Sequence, residues 1–114
     1  MKLTAIIPIC VVLLAGCAQA PEDVPAERLS SAPYQAWSCS RLVQEKASLD
    51  TQVAGASAKQ EKAYIGDTLG VLSIGLPTAS RGNQDDAAHL AHLKGQQNAV
   101  VTAAAHIGCP APAA

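Results

Sequence analysis

The sequence predicts an all-α fold: an antiparallel two-helix hairpin closed by one disulfide and carried on a disordered tether. Three observations predict it. Cys39 and Cys109 stand near the outer ends of two long helix-like arms. Between the arms lies an apolar, glycine-punctuated stretch, GDTLGVLSIGLPTASRG at 66–82. The arms also match in length, 27 residues from Cys39 to Gly66 and 27 from Gly82 to Cys109. As helices rising 1.5 Å per residue, each would be about 40 Å long. Folded back on one another, they set the two cysteines side by side and the 66–82 tip at the opposite end.

Residues 1–16 read as a signal peptide. Lys2 is a short basic start, and Leu3 to Ala15 is an apolar run interrupted by Thr4 and Pro8. The run falls short of the roughly 20 residues that span a bilayer and has signal-peptide proportions. Its end, Leu14-Ala15-Gly16-Cys17, resembles a bacterial lipobox. That resemblance implies that Cys17 becomes the first mature residue and carries diacylglycerol on its sulfur and an acyl chain, such as palmitate, on its amine. The chain would then be held in the cell envelope by lipid, each buried methylene adding about 0.8 kcal/mol. The alternative is an ordinary signal cleaved after Ala18 or Ala20. Ala18 and Gln19 are not the aspartate that retains enterobacterial lipoproteins at the inner membrane. In an organism with two membranes the expected place is therefore the outer membrane, facing the periplasm.

Of four cysteines, Cys10 leaves with the signal and Cys17 is the lipidation site, which leaves Cys39 and Cys109 in an oxidising compartment. Two thiols permit one intramolecular bond; two free buried thiols are the alternative. A loop of about 70 residues closed in this way stabilises by roughly 4 kcal/mol in the chain-entropy model. The mature chain, 17–114, is one domain at most, with no Phe, one Trp and two Tyr. An alanine-rich core of that size buries little area, so a covalent staple fits it. Without Lys2 the formal charge is near −2, and neither a basic patch nor an aromatic ladder is present, which disfavours nucleic acid as a partner.

Residues 17–33 read as the lipidated flexible tether. Pro21, Pro25 and Pro33 are interspersed with Glu22, Asp23 and Glu27, a composition with too little apolar surface to order itself. A short helix around 26–31 is allowed, and an extended tether would hold the domain up to about 50 Å from the membrane. The hairpin proper spans 34–109. Tyr34 and Trp37 suit a lid over the disulfide end, and Ser38 or Ser40 can cap the first arm. The first apolar stripe runs Cys39, Leu42, Lys46, Leu49, Val53, Ala56, Gln60, Ala63; the second runs Leu90, Leu93, Gln97, Val100, Ala104, Ile107. Gln97 is placed to meet Gln60 or another polar stripe residue. The second arm is expected from Asn83, with Asp85 and Asp86 in its first turn, where acidic groups suit the helix dipole. Gly108 is a C-cap candidate before Pro110. Residues 110–114 read as a disordered tail.

At the tip, Leu69, Val71, Leu72, Ile74 and Leu76 crowd together, loosened by Gly66, Gly70 and Gly75 and ended by Pro77. Three fates are open: the first arm continues to Leu76 and the chain folds back to bury them as a local core, or they dock into a protein partner, or they contact a membrane. Asp85, His89 and His92, spaced i, i+4 and i+7, share a helix flank and are a minor candidate for a transition metal. A solvated helix face accounts for them more simply, so neither a metal nor any other cofactor is expected.

The first cysteine opening a long helix, Asp67, Gly70, Val71, Gly75, Pro77 and Ser80 in the tip, the acidic pair Asp85 and Asp86, the step Leu90-Ala91-His92-Leu93-Lys94-Gly95 and the closing Cys109 form a pattern with the Cys17 lipobox. The chain in this respect resembles a group of small proteobacterial lipoproteins, over most of 39–109. The resemblance implies a disulfide-closed helical hairpin and brings no activity with it. No nucleophile–base pair or paired carboxylates fall in a cleft, so no enzyme is expected. The sequence points to a structural or adaptor module of the envelope, acting through its apolar tip on an envelope protein or by self-association through the alanine-rich arms. The alternative is a small lipoprotein that binds a metal or an apolar ligand.

Overall fold

The computed structural model describes residues 18–76 and 84–110. Residues 1–17, 77–83 and 111–114 lie outside the described residues, and with them the expectations placed on the signal peptide, Cys17, Pro77, Ser80, Gly82, Asn83 and the C-terminal tail.

Two long helices form the molecule: α1, Cys39–Ile74, and α2, Gln84–His106. They run antiparallel and are joined by the Cys39–Cys109 disulfide, whose Cα atoms lie 5.5 Å apart. The fold is the expected all-α hairpin closed by one disulfide. Ser38 caps α1: its backbone is extended and its hydroxyl accepts from the Arg41 amide at 3.2 Å. At the other end Gly75 takes φ 74°, and its amide donates to the Val71 carbonyl. α2 closes on Gly108 at φ 78°. The Gly108 amide donates to Ala105 and the Cys109 amide to Ala104, a Schellman pair that turns Cys109 back toward Cys39.

The arms are unequal, against the expected symmetry: α1 has 36 residues and α2 has 23. Glycine only weakens a helix, by about 1 kcal/mol relative to alanine. α1 therefore runs through Gly66 and Gly70 and stops only where Gly75 turns left-handed.

The core forms where the stripes meet. Leu42, Leu49, Leu93, Val100 and Ala103 make one buried cluster, flanked by Val53, Ala56, Ala104 and Cys109. Tyr34 and Trp37 pack against it as the lid over the disulfide end. Their rings meet edge to face at 4.9 Å, and the Arg41 guanidinium lies 3.6 Å from the Trp37 ring centre. The expected meeting of Gln60 and Gln97 does not occur. Gln97 donates to Asp50 Oδ1 at 2.7 Å, and Gln60, fully buried, donates to the Gln19 carbonyl at 2.8 Å. Ile107, at the end of the α2 stripe, is 37% exposed rather than core.

Residues 18–33 depart furthest from expectation. They do not behave as a tether but lie along the hairpin from its tip end to its disulfide end. Ala20, Pro21 and Val24 are buried. Two short 3₁₀ turns, Pro21–Asp23 and Ala32–Tyr34, punctuate an otherwise irregular path, and no helix forms at 26–31. The apolar surface in this segment is small, but its backbone groups are satisfied by the helices. The Glu27 amide donates to the Ala91 carbonyl at 2.8 Å, and Lys94 Nζ donates to the carbonyls of Pro21 and Val24 at 2.5 and 2.8 Å. Gly95 makes the approach possible: a Cβ there would collide with the Glu27 carbonyl oxygen and stand 3.2 Å from Leu29 Cδ1.

Candidate functional site

The site of interest is the far end of α1. Lys59 Nζ lies 2.6 Å from Asp86 Oδ1, which sets the first turn of α2 beside Lys59. α1 then continues to Ile74, so the stretch 63–74 projects past α2 by about 18 Å at 1.5 Å per residue. The sequence-predicted tip residues all lie on or just beyond this projection. Leu72 is 78% exposed, and Leu69, Ile74 and Leu76 are 60–64% exposed. Val71, Tyr64 and Ile65 are also open to solvent. The fold-back expectation is thus half right: the helix continues as that reading supposed, but the apolar side chains are not buried as a local core.

The exposed residues do not share one side. At 100° per residue, Ile65, Leu69 and Leu72 fall within about 60° of each other, opposite Asp67, whereas Tyr64, Val71 and Ile74 flank the Asp67 side. The polar groups are turned inward. Thr68 Oγ1 donates to the Tyr64 carbonyl at 2.9 Å, and Ser73 Oγ donates to the Leu69 carbonyl at 2.7 Å. Between Ala63 and Leu76 the one charged side chain is Asp67, 3% exposed. Its Oδ2 accepts from the Ala18 amide at 2.8 Å. Ala18 sits in a shallow depression with Tyr64, Thr68, Val71 and Leu72. The first described residue is therefore held against the apolar end of α1. The sequence pattern presents Asp67 only as part of a tip motif; the signal for its role is a single carboxylate in a stretch of fourteen residues, 63–76, with no other charge.

The minor metal candidate is not assembled. His92 Nδ1 lies 2.8 Å from Glu27 Oε2, a contact made by the docked 18–33 segment, while Asp85 and His89 are exposed. Among the described residues, no group of three or more His, Cys, Asp or Glu side chains converges on a common point. At the disulfide end a second, open apolar groove runs between the helices, with Leu42, Val43, Ala47, Val101 and Ala104 on its walls. Among the described residues no helix is long and apolar enough to cross a membrane. No protein-family model matches the chain, and comparison with curated proteins and with solved structures finds no match.

Proposed function

We propose that this chain is a non-enzymatic lipoprotein of the bacterial cell envelope, acylated at Cys17, which serves as a structural or adaptor module through the apolar end of α1. The observation that carries the reading is the projection itself: exposed leucines and isoleucines on the capped end of α1, where the one charged side chain between 63 and 76, Asp67, is buried. Apolar surface on that scale marks a place of contact. The lipobox at 14–17 supplies the compartment, and the resemblance to small proteobacterial lipoproteins supports it. The outer membrane, facing the periplasm, is the proposed place in a two-membraned cell. Labelled palmitate incorporation and fractionation of wild type and Cys17→Ser test the anchor. Wild type is expected to take up label and require detergent for extraction, and Cys17→Ser to lose both properties. Equal membrane retention of the two proteins would refute it.

A second reading, binding of a small apolar ligand, rests on the groove beside the disulfide. Its walls carry Val43 and Val101, each about half exposed. Titration with a solvatochromic apolar dye tests it: binding lost in Val101→Asp supports the groove, and no binding removes it.

A further inference from the structure

Ala18, the first described residue, and the apolar projection occupy the same end of the molecule. Ala18 is bonded to Asp67, and the residue before it in the chain is Cys17. Consecutive α-carbons are about 3.8 Å apart, so the acylated residue emerges within one peptide unit of the Asp67 level. With 18–33 docked along the hairpin, no slack lies between the lipid and the fold.

We propose that the end of α1 beyond Asp67 inserts into the bilayer that holds the Cys17 acyl chains, so that the hairpin stands upright with its disulfide end pointing away from the membrane. This rests on the reading of Cys17 as the lipidated residue and names the surface that the tip engages.

Four features favour lipid over a protein groove as the occupant. First, the exposed apolar side chains lie on two separate sides of the helix, whereas a helix docked in a protein groove needs only one apolar face. Second, the hydroxyls of Thr68 and Ser73 are already spent on helix carbonyls, which lowers the cost of taking them out of water. Third, the depth matches: Asp67 to Ile74 rises about 10 Å, which reaches the boundary between headgroups and acyl chains without crossing a core of about 30 Å. Fourth, Tyr64 is half exposed beside Ala18, at the level where amphipathic aromatics sit in membrane interfaces, and exposed Lys62 lies just above it.

The test uses the full acylated chain, purified and reconstituted in vesicles of phosphatidylcholine and phosphatidylglycerol at about 3:1, a mildly anionic surface. Lipids brominated along their acyl chains quench nearby tryptophan. The wild-type chain has one tryptophan, Trp37, at the disulfide end. Its emission is expected to be insensitive to bromine. In a Trp37→Tyr background, Leu72→Trp is expected to be blue-shifted and to lose most of its emission. Intact mass is measured on the same samples. Lipid on Cys17 with no quenching at position 72 overturns the insertion while leaving the anchor intact. Quenching at both positions overturns the upright stance. A mass without lipid refutes the anchor, and the inference falls with it. An unquenched probe together with a discrete protein adduct from a photo-crosslinker at position 72 in cells assigns the tip to a protein partner and overturns the proposal.

Discussion

Gly95→Ala separates a docked 18–33 segment from a free tether by the sign of its effect. Gly95 lies inside α2, where replacing glycine by alanine ordinarily stabilises by about 0.8–1 kcal/mol through helix propensity. A free tether would leave only that gain. In the docked structure the added methyl meets the Glu27 carbonyl oxygen and closely approaches the Glu27 carbonyl carbon and Leu29 Cδ1. The obstructing atoms are mostly backbone, held by the Glu27 amide bond to Ala91, so they cannot swing aside as a side-chain end would. Overpacking of this kind costs about 1–3 kcal/mol, which outweighs the propensity gain at most of its range. The expected net is a destabilisation of about 1 kcal/mol, or a fall of about 4–8 °C in Tm for a domain of this size. Thermal unfolding followed by circular dichroism at matched pH and salt measures it. A Tm that rises on Gly95→Ala would refute the docked segment.

Lys94→Ala removes the ammonium that holds the Pro21 and Val24 carbonyls. It is expected to cost about 2 kcal/mol, in the range of charge-assisted bonds, and to speed limited proteolysis within 18–27; unchanged cleavage would argue against the clamp. Cys39→Ser, or reduction of the wild type, is expected to lower the urea midpoint by an amount equivalent to as much as about 4 kcal/mol, and an unmoved midpoint would deny the staple. Asp50 predicts an acid dependence. The Lys46 ammonium at 2.8 Å lowers its pKa below the usual carboxylate range; partial burial opposes this, and the Gln97 amide assists it. A folded-state pKa below the unfolded one contributes stability above the unfolded value, and that stability is lost as pH falls through the folded value. Stability should thus decline below about pH 4, by a small amount because the pair is exposed, and Asp50→Asn should flatten that part of the profile. An identical profile in the variant would contradict it.

Much of the hairpin was legible in the sequence because it depends on local rules. Ser38 as cap, Gly108 as C-cap and Leu42, Leu49, Leu90, Leu93 and Val100 on facing stripes follow from capping chemistry and 3.6-residue periodicity. The docked segment was not legible, because few of its own side chains bury. Its attachment is carried by backbone groups meeting Lys94, Ala91, Gln60 and Asp67, none of which looks like a docking residue in isolation. Gly95 and Lys94 in mid-helix, with the buried small residues Ala99 and Ala103 following, were the available signal, and they resemble a weak core as much as a cradle. The unequal arms were missed because equal spacing between glycines and cysteines suggested symmetry, whereas only the left-handed Gly75 ends α1. The crowding of Leu69, Val71, Leu72, Ile74 and Leu76 is plain in the sequence and their exposure is not; the proximity of Ala18 to this end of α1 is a long-range contact that no periodicity encodes.

Hydrogen exchange read by mass spectrometry on the full chain tests most directly whether 18–33 is docked along the hairpin with Ala18 held at the tip of α1. The amides of Ala18, Asp23, Val24 and Glu27 are all hydrogen-bonded, two of them to the long helices. Protection across 18–27 that approaches that of α2 is the expected result, reduced by Lys94→Ala and Gly95→Ala. Exchange across 18–27 at the free-chain rate, with the hairpin itself protected, would contradict it and return the hairpin to the end of a loose tether.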